Sequence, residues 1–110
     1  MYTYKGSILR FKFADKDLQK LYETGENRKF SYPADIIRRF IQRVEAIKAA
    51  ETTDVLRKMR SHKFEKLKGC DNRFSMRIND QYRLEMTLED EGGQIRLKIF
   101  VIRKISKHYE

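Results

Sequence analysis

The chain has 110 residues, enough for one small domain (1–110) with a single modest core. Hydrophobic residues make up 40% and charged residues 37%, a globular balance with a polar surface. Its 25 Lys and Arg against 16 Asp and Glu leave a net charge of +9, so a polyanion is the natural partner, nucleic acid first and an acidic protein second. A lone cysteine, Cys70, excludes a disulfide framework and a thiolate zinc site, and two histidines, His62 and His108, are too few for a metal cluster. No metal and no cofactor are expected.

The N-terminal segment lacks the basic-then-apolar layout of a signal peptide, and no apolar run approaches the length of a membrane span. A cytoplasmic location without membrane partners is the expectation. Ser7–Phe13, with Ile8, Phe11 and Phe13 among basic residues, reads as a first strand. Asp15 suits the cap of a short helix whose Leu18, Leu21 and Tyr22 share a face, and Gly25 suits its C-terminal stop. Pro33 suits the first position of a second helix running to about Ala50, with Ile36, Ile37, Phe40, Ile41, Val44 and Ile47 at three- and four-residue spacings. Arg38, Arg39, Gln42 and Arg43 read as its solvated side. Thr53–Arg60 offers one or two further helical turns. A dense run of cations follows, anchored by Phe64 and Leu67, and Gly69 permits a turn.

Two alternating segments come next. Phe74, Met76 and Ile78 alternate with polar residues in Arg73–Asn79, as do Tyr82, Leu84, Met86 and Leu88 in Tyr82–Leu88. Both place apolar residues at even numbers, so paired positions must sum to an even number. That predicts a three-residue loop, Asn79–Gln81, with Arg77 opposite Arg83. Facing arginines repel, and an anion between them would relieve the repulsion. After a turn at Asp90–Gly93, Ile95–Ile105 reads as a third long strand in which Arg96 faces Thr87, Lys98 faces Glu85 and Phe100 faces Arg83. Run straight, that strand brings Lys104 and His108 to the face of Arg77 and Arg83.

One sheet face thus collects cations beside the loop His62–Lys68, with no Gly-rich phosphate loop and no hydrolase motif. Metal-free cleavage of RNA suits such a face. RNA carries its own nucleophile in the 2′-hydroxyl, cations offset the charge at phosphorus, and His, Tyr or a perturbed Lys moves the protons.

The run Lys66-Leu67-Lys68-Gly69, then Phe74-Ser75-Met76-Arg77-Ile78-Asn79, then Asp80-Gln81-Tyr82-Arg83-Leu84, resembles the LKG…WSIRINxxYRI pattern of toxins of the RelE/ParE superfamily, HigB branch. The resemblance implies an α+β RelE-like domain with two N-terminal helices packed on a mostly antiparallel, twisted β-sheet. It implies the toxin of a type II toxin–antitoxin pair, an endoribonuclease that enters the ribosomal A site and cleaves mRNA there. It also implies a cognate antitoxin, typically of helix-turn-helix type, through which alone the toxin would reach operator DNA. Carried over by position, Lys68 and Arg83 would hold the scissile phosphate. His108 or Tyr109 would take or give a proton, with His62 as the alternative. Lys63, Lys66, Arg73 and Arg77, with Lys104 on the same face, would contact the mRNA or rRNA backbone. The chain departs from the HigB pattern in two places. His62 lies farther upstream of the LKG motif, and the tail ends His108-Tyr109-Glu110 instead of in a Tyr-His pair. Two rival functions share these features: a ParE-like inhibitor of DNA gyrase, and a non-catalytic RNA- or ribosome-binding module.

Overall fold

The computed structural model describes residues 8–26, 29–50, 53–69, 72–91 and 94–107. The elements follow the order β1 (Ile8–Phe13), α1 (Lys16–Thr24), α2 (Ala34–Ala49), α3 (Thr53–Lys58), a 3₁₀ turn (Arg60–His62), β2 (Glu65–Lys66), β3 (Arg73–Arg77), β4 (Tyr82–Glu91) and β5 (Gln94–Lys107). The strands form one sheet in the order β1-β5-β4-β3-β2.

Local chemistry sets the helix ends. The Asp15 carboxylate accepts from the Asp17 N–H at 2.7 Å and starts α1, while Gly25 stops it at φ 74° with its N–H on the Leu21 carbonyl. Pro33 precedes α2 as its cap in extended geometry instead of occupying the first helical position, and its carbonyl accepts from the N–H groups of Ile36 and Ile37. Leu18 and Leu21 of α1 and Ile36, Phe40, Val44 and Ile47 of α2 lie in the core beneath one face of the sheet. Met76, Ile78, Leu84, Met86, Phe100, Ile102 and Ile105 meet them from that face. Burial of this kind is the main stabilising term, about 25 cal/mol per Å² of apolar surface.

The hairpin has the predicted register: Arg77 stands opposite Arg83 and Met76 opposite Leu84. The Asn79 side chain closes the loop by accepting from the N–H groups of Gln81 and Tyr82, both at 2.8 Å.

Three expectations need correction. The sheet is mixed, because β1 runs parallel to β5, and three helices precede the hairpin. A parallel pairing needs a long crossover, and α1 to β4 supply it. The β4–β5 register also differs: Thr87 pairs with Val101, Glu85 with Lys104 and Arg83 with Ser106, while Lys98 pairs with Asp90. Extra residues in β5 accumulate at two irregularities, one beside Asp90/Glu91 and one beside Glu85/Met86. The second bulge inserts Arg103, so Phe100 and Ile102 face the core and Lys104 still emerges on the opposite face. The outcome for Lys104 holds, but the strand does not run straight. Third, Arg43 is not part of a solvated face. It is 7% exposed and donates through Nε to the Arg77 carbonyl at 2.9 Å and through Nη2 to the Ile78 carbonyl at 3.4 Å. Its place follows from spacing, since Ile36, Phe40, Arg43 and Ile47 recur at four, three and four residues. Past Ser75, β3 has no strand on its outer side among the described residues, and Arg43 takes carbonyls left open there.

Candidate functional site

The face of the sheet turned away from the helices is built in rows by the register. One row carries Arg77, Arg83 and Ser106; the next carries Glu65, Ser75, Glu85 and Lys104; the next carries Arg73, Thr87 and Val101. Cationic and anionic rows therefore alternate, and diagonal neighbours pair. Arg83, with 24% of its side chain exposed, donates from Nη1 to the Ser75 hydroxyl at 2.8 Å and to the Glu65 carboxylate at 3.0 Å. Arg73 donates to Glu85 at 2.9 Å, and its Nε is buried without a partner among the described residues. Arg77 is bonded to the Asp80 carboxylate, which that hydrogen bond and charge hold below the usual carboxylate range. Arg103, the bulge residue, bridges Glu89 at 2.8 Å and the Thr87 hydroxyl at 3.2 Å. Hydrogen bonds from Thr87 and then Arg103 outweigh desolvation and lower the Glu89 pKa. Each of the facing arginines thus has a carboxylate of the same chain as partner, Asp80 for Arg77 and Glu65 for Arg83. The Arg83–Glu65 pair is partly exposed and is worth about 0–1 kcal/mol.

The basic segment borders this face along β2. Lys63 adopts a left-handed conformation, φ 45°, as the 3₁₀ turn ends. Lys66 is exposed in β2 opposite Phe74, and Lys68 is exposed in the turn that Gly69 completes at φ 77°. Phe64 ties the segment down, its ring stacked on Phe74 at 5.1 Å and edge-on to Phe100 at 5.9 Å. Among the described residues, Lys63, Lys66 and Lys68 form no ion pair, in contrast to the arginines of the sheet.

The structure therefore gathers Arg73, Arg77, Arg83 and Lys104 on one face; Lys66, paired with Phe74, takes the side of the core, and Lys68 follows Leu67, which closes the Arg73 end of the β2–β3 pairing. His62 stands apart from this group: the charge acting on it is that of Arg43, and its Nδ1 is buried without a partner among the described residues. His108 and Tyr109 lie outside the described residues, as does Cys70. Glu65 and Ser75, which hold Arg83, were not among the residues singled out from the sequence. Ser75 had a legible signal, a small polar residue between Phe74 and Met76 on a strand; Glu65 acquires its meaning only through the β2–β3 pairing.

Compared with known families, residues 11–96 match the model of the HigB-like toxin, described as the RelE-like toxin of type II toxin–antitoxin system HigB. The chain belongs to this family. Among solved structures it is similar to a YoeB/ParE toxin from Agrobacterium tumefaciens, with TM-score 0.51 and 15% sequence identity over 93% of this chain and 99% of that one. That likeness concerns the fold. No curated protein matches the chain by sequence. Membership of a type II toxin family implies an antitoxin as partner. No helix among its described residues is long and apolar enough to cross a membrane.

Burial first, and then the charge of Arg43, push the His62 imidazole of the toxin below its ordinary value of 6.5. The unfolded chain, with the ordinary value, binds that proton more readily than the folded one. Stability is therefore fully present above 6.5 and is lost as pH falls below it, down to the lowered folded-state value. We expect the urea midpoint to fall between about pH 7.5 and about pH 5.5, and to fall less in His62→Gln. Equal slopes in the two proteins would assign the proton to another group.

Proposed function

We propose that the toxin is a metal-independent endoribonuclease that cleaves mRNA on the ribosome and thereby inhibits translation. The reading rests on the family and on one observation above all: Arg83 lies on the polar sheet face with guanidinium donors to spare, next to the segment of Lys63, Lys66 and Lys68, which form no ion pair among the described residues. Lys68 and Arg83 would hold the scissile phosphate. The 2′-hydroxyl loses its proton to a base and attacks phosphorus, the bond to the 5′-oxygen breaks, and that oxygen takes a proton from an acid. The products are a 2′,3′-cyclic phosphate and a 5′-hydroxyl. Arg83 and Lys68 offset the charge that develops on the non-bridging oxygens, where such donors are most effective. The proton transfers fall to His108 and Tyr109, with His62 as the alternative; Glu65, a carboxylate already beside Arg83, is a further candidate base. Lys63, Lys66, Arg73, Arg77 and Lys104 contact mRNA or rRNA backbone, which makes binding steeply salt-dependent.

Induced expression followed by mapping of new mRNA 5′ ends tests this. Codon-phased ends should appear within translated regions with wild type and fall by about tenfold or more with Lys68→Ala. Growth arrest without new ends would move the target to gyrase or to a ribosome that is bound but leaves its transcripts intact.

A further inference from the structure

Ser75 has no solvent exposure, although it sits at the centre of the sheet's polar face, between Glu65 of β2 and Glu85 of β4. A buried hydroxyl costs free energy unless it is hydrogen-bonded. Its partner here is the Arg83 guanidinium, through the same Nη1 that reaches Glu65. A guanidinium carries five N–H donors in a rigid plane, two of them on Nη1. Both Nη1 hydrogens are engaged on the sheet side, and among the described residues Nε and Nη2 have no hydrogen-bond partner. Two of the three donors left over, Nε–H and one Nη2–H, lie along one edge, and their parallel N–H bonds match two oxygens of a phosphate.

The two acceptors are not equivalent. Glu65 stands on a two-residue edge strand with 55% of its side chain exposed, where water competes for it. Ser75 is short, enclosed and fixed by pairing with strands on both sides. Ser75 is therefore the rigid stop against which the guanidinium plane rests.

We propose that Ser75 is a positioning residue whose buried hydroxyl holds Nη1 of Arg83, so that the Nε–Nη2 edge is presented to a phosphodiester of RNA. The proposal rests on the reading of Arg83 as the phosphate-binding group. Ser75 itself touches no reacting atom; it acts by fixing the plane of the group that does. Orientation errors at such a group cost rate more than binding, because charge at phosphorus peaks in the transition state.

The test has a structural arm and a kinetic arm. In wild type, side-chain ¹⁵N NMR should show Arg83 with a distinct, slowly rotating Nη1; in Ser75→Ala that signal should average with those of free guanidinium groups. In single-turnover cleavage of an RNA on programmed ribosomes, Ser75→Ala should lower the rate constant by about tenfold to a hundredfold with a near-constant KM. In an Arg83→Ala background the same substitution should cost nothing more, since the group it positions is gone. Ser75→Cys, similar in size but only a weak acceptor, is run beside it so that the outcome does not hang on one variant folding. An Arg83 signal equally restrained in both variants, or an unchanged loss in the Arg83→Ala background, overturns the proposal. A wild-type protein that cuts no RNA overturns the function reading alone, because the NMR arm still decides whether Ser75 holds Arg83.

Discussion

Arg83→Ala should lower RNA cleavage by about a hundredfold to a thousandfold, the usual loss when a donor to a developing oxyanion is removed. Cells induced for the variant should grow as uninduced cells do. On the proposed reading the effect is chemical, and it adds to a smaller cost to the fold. The Ser75 hydroxyl loses its donor in a site without solvent, a penalty of about 1–3 kcal/mol. Glu65 loses its partner as well, but it is exposed and water replaces the guanidinium there. Arg83→Lys keeps the charge but loses the planar fork, so it should recover only part of the rate. Thermal unfolding and mapped 5′ ends, measured side by side, separate the two effects. Wild-type cleavage by a folded Arg83→Ala protein would remove Arg83 from the chemistry.

Phe64→Ala carries the largest expected loss of stability, about 3–5 kcal/mol, within a domain whose total is about 5–15 kcal/mol. The ring lies parallel to Phe74, 5° between planes, and edge-on to Phe100, and Phe74 and Phe100 meet edge-on at 6.3 Å. Truncation leaves a cavity among three rings instead of a surface that closes up. Phe64 also sits between Lys63 and Glu65, so its removal unties the short strand β2 and with it the carboxylate at Arg83. Limited proteolysis should therefore cut the Lys63–Lys68 segment before the sheet unfolds. Phe64→Leu should lose less on both counts. A urea-derived loss below about 1 kcal/mol would mean the ring is not the anchor.

The hairpin was legible because strict alternation in both segments leaves one parity and one loop length. The same argument failed between β4 and β5. Val101 is apolar next to Phe100 and Ile102, so no single parity describes the strand, and a bulge is invisible to a rule that assumes uniform steps. Arg43 was misplaced by chemistry winning over spacing: a cation at a core position of α2 reads as solvated until the open carbonyls of Arg77 and Ile78 are seen beside it. The parallel partner of β1 has no local signature at all, since it is decided by the crossover and not by the six residues of the strand. The site followed the same division. Arg77 and Arg83 could be set opposite one another from numbering alone. That Glu65 and Asp80 would neutralise them depends on a two-residue strand and on a turn side chain, neither of which announces itself in the sequence.

The bulge at Arg103 bears on how relatives of this toxin are compared. Ile102 faces the core, Arg103 and Lys104 both lie on the polar side, and Ile105 returns to the core. Omitting Arg103 would leave Ile102, Lys104 and Ile105 in ordinary alternation, with each residue on the side it already occupies. Inserting or omitting a residue elsewhere in the regularly paired run Ile99–Ile102 would send every later side chain to the wrong side. Position 103 is thus where this sheet can change length between lineages without rewriting either surface, and an alignment that places a one-residue gap there keeps the two halves of β5 in phase.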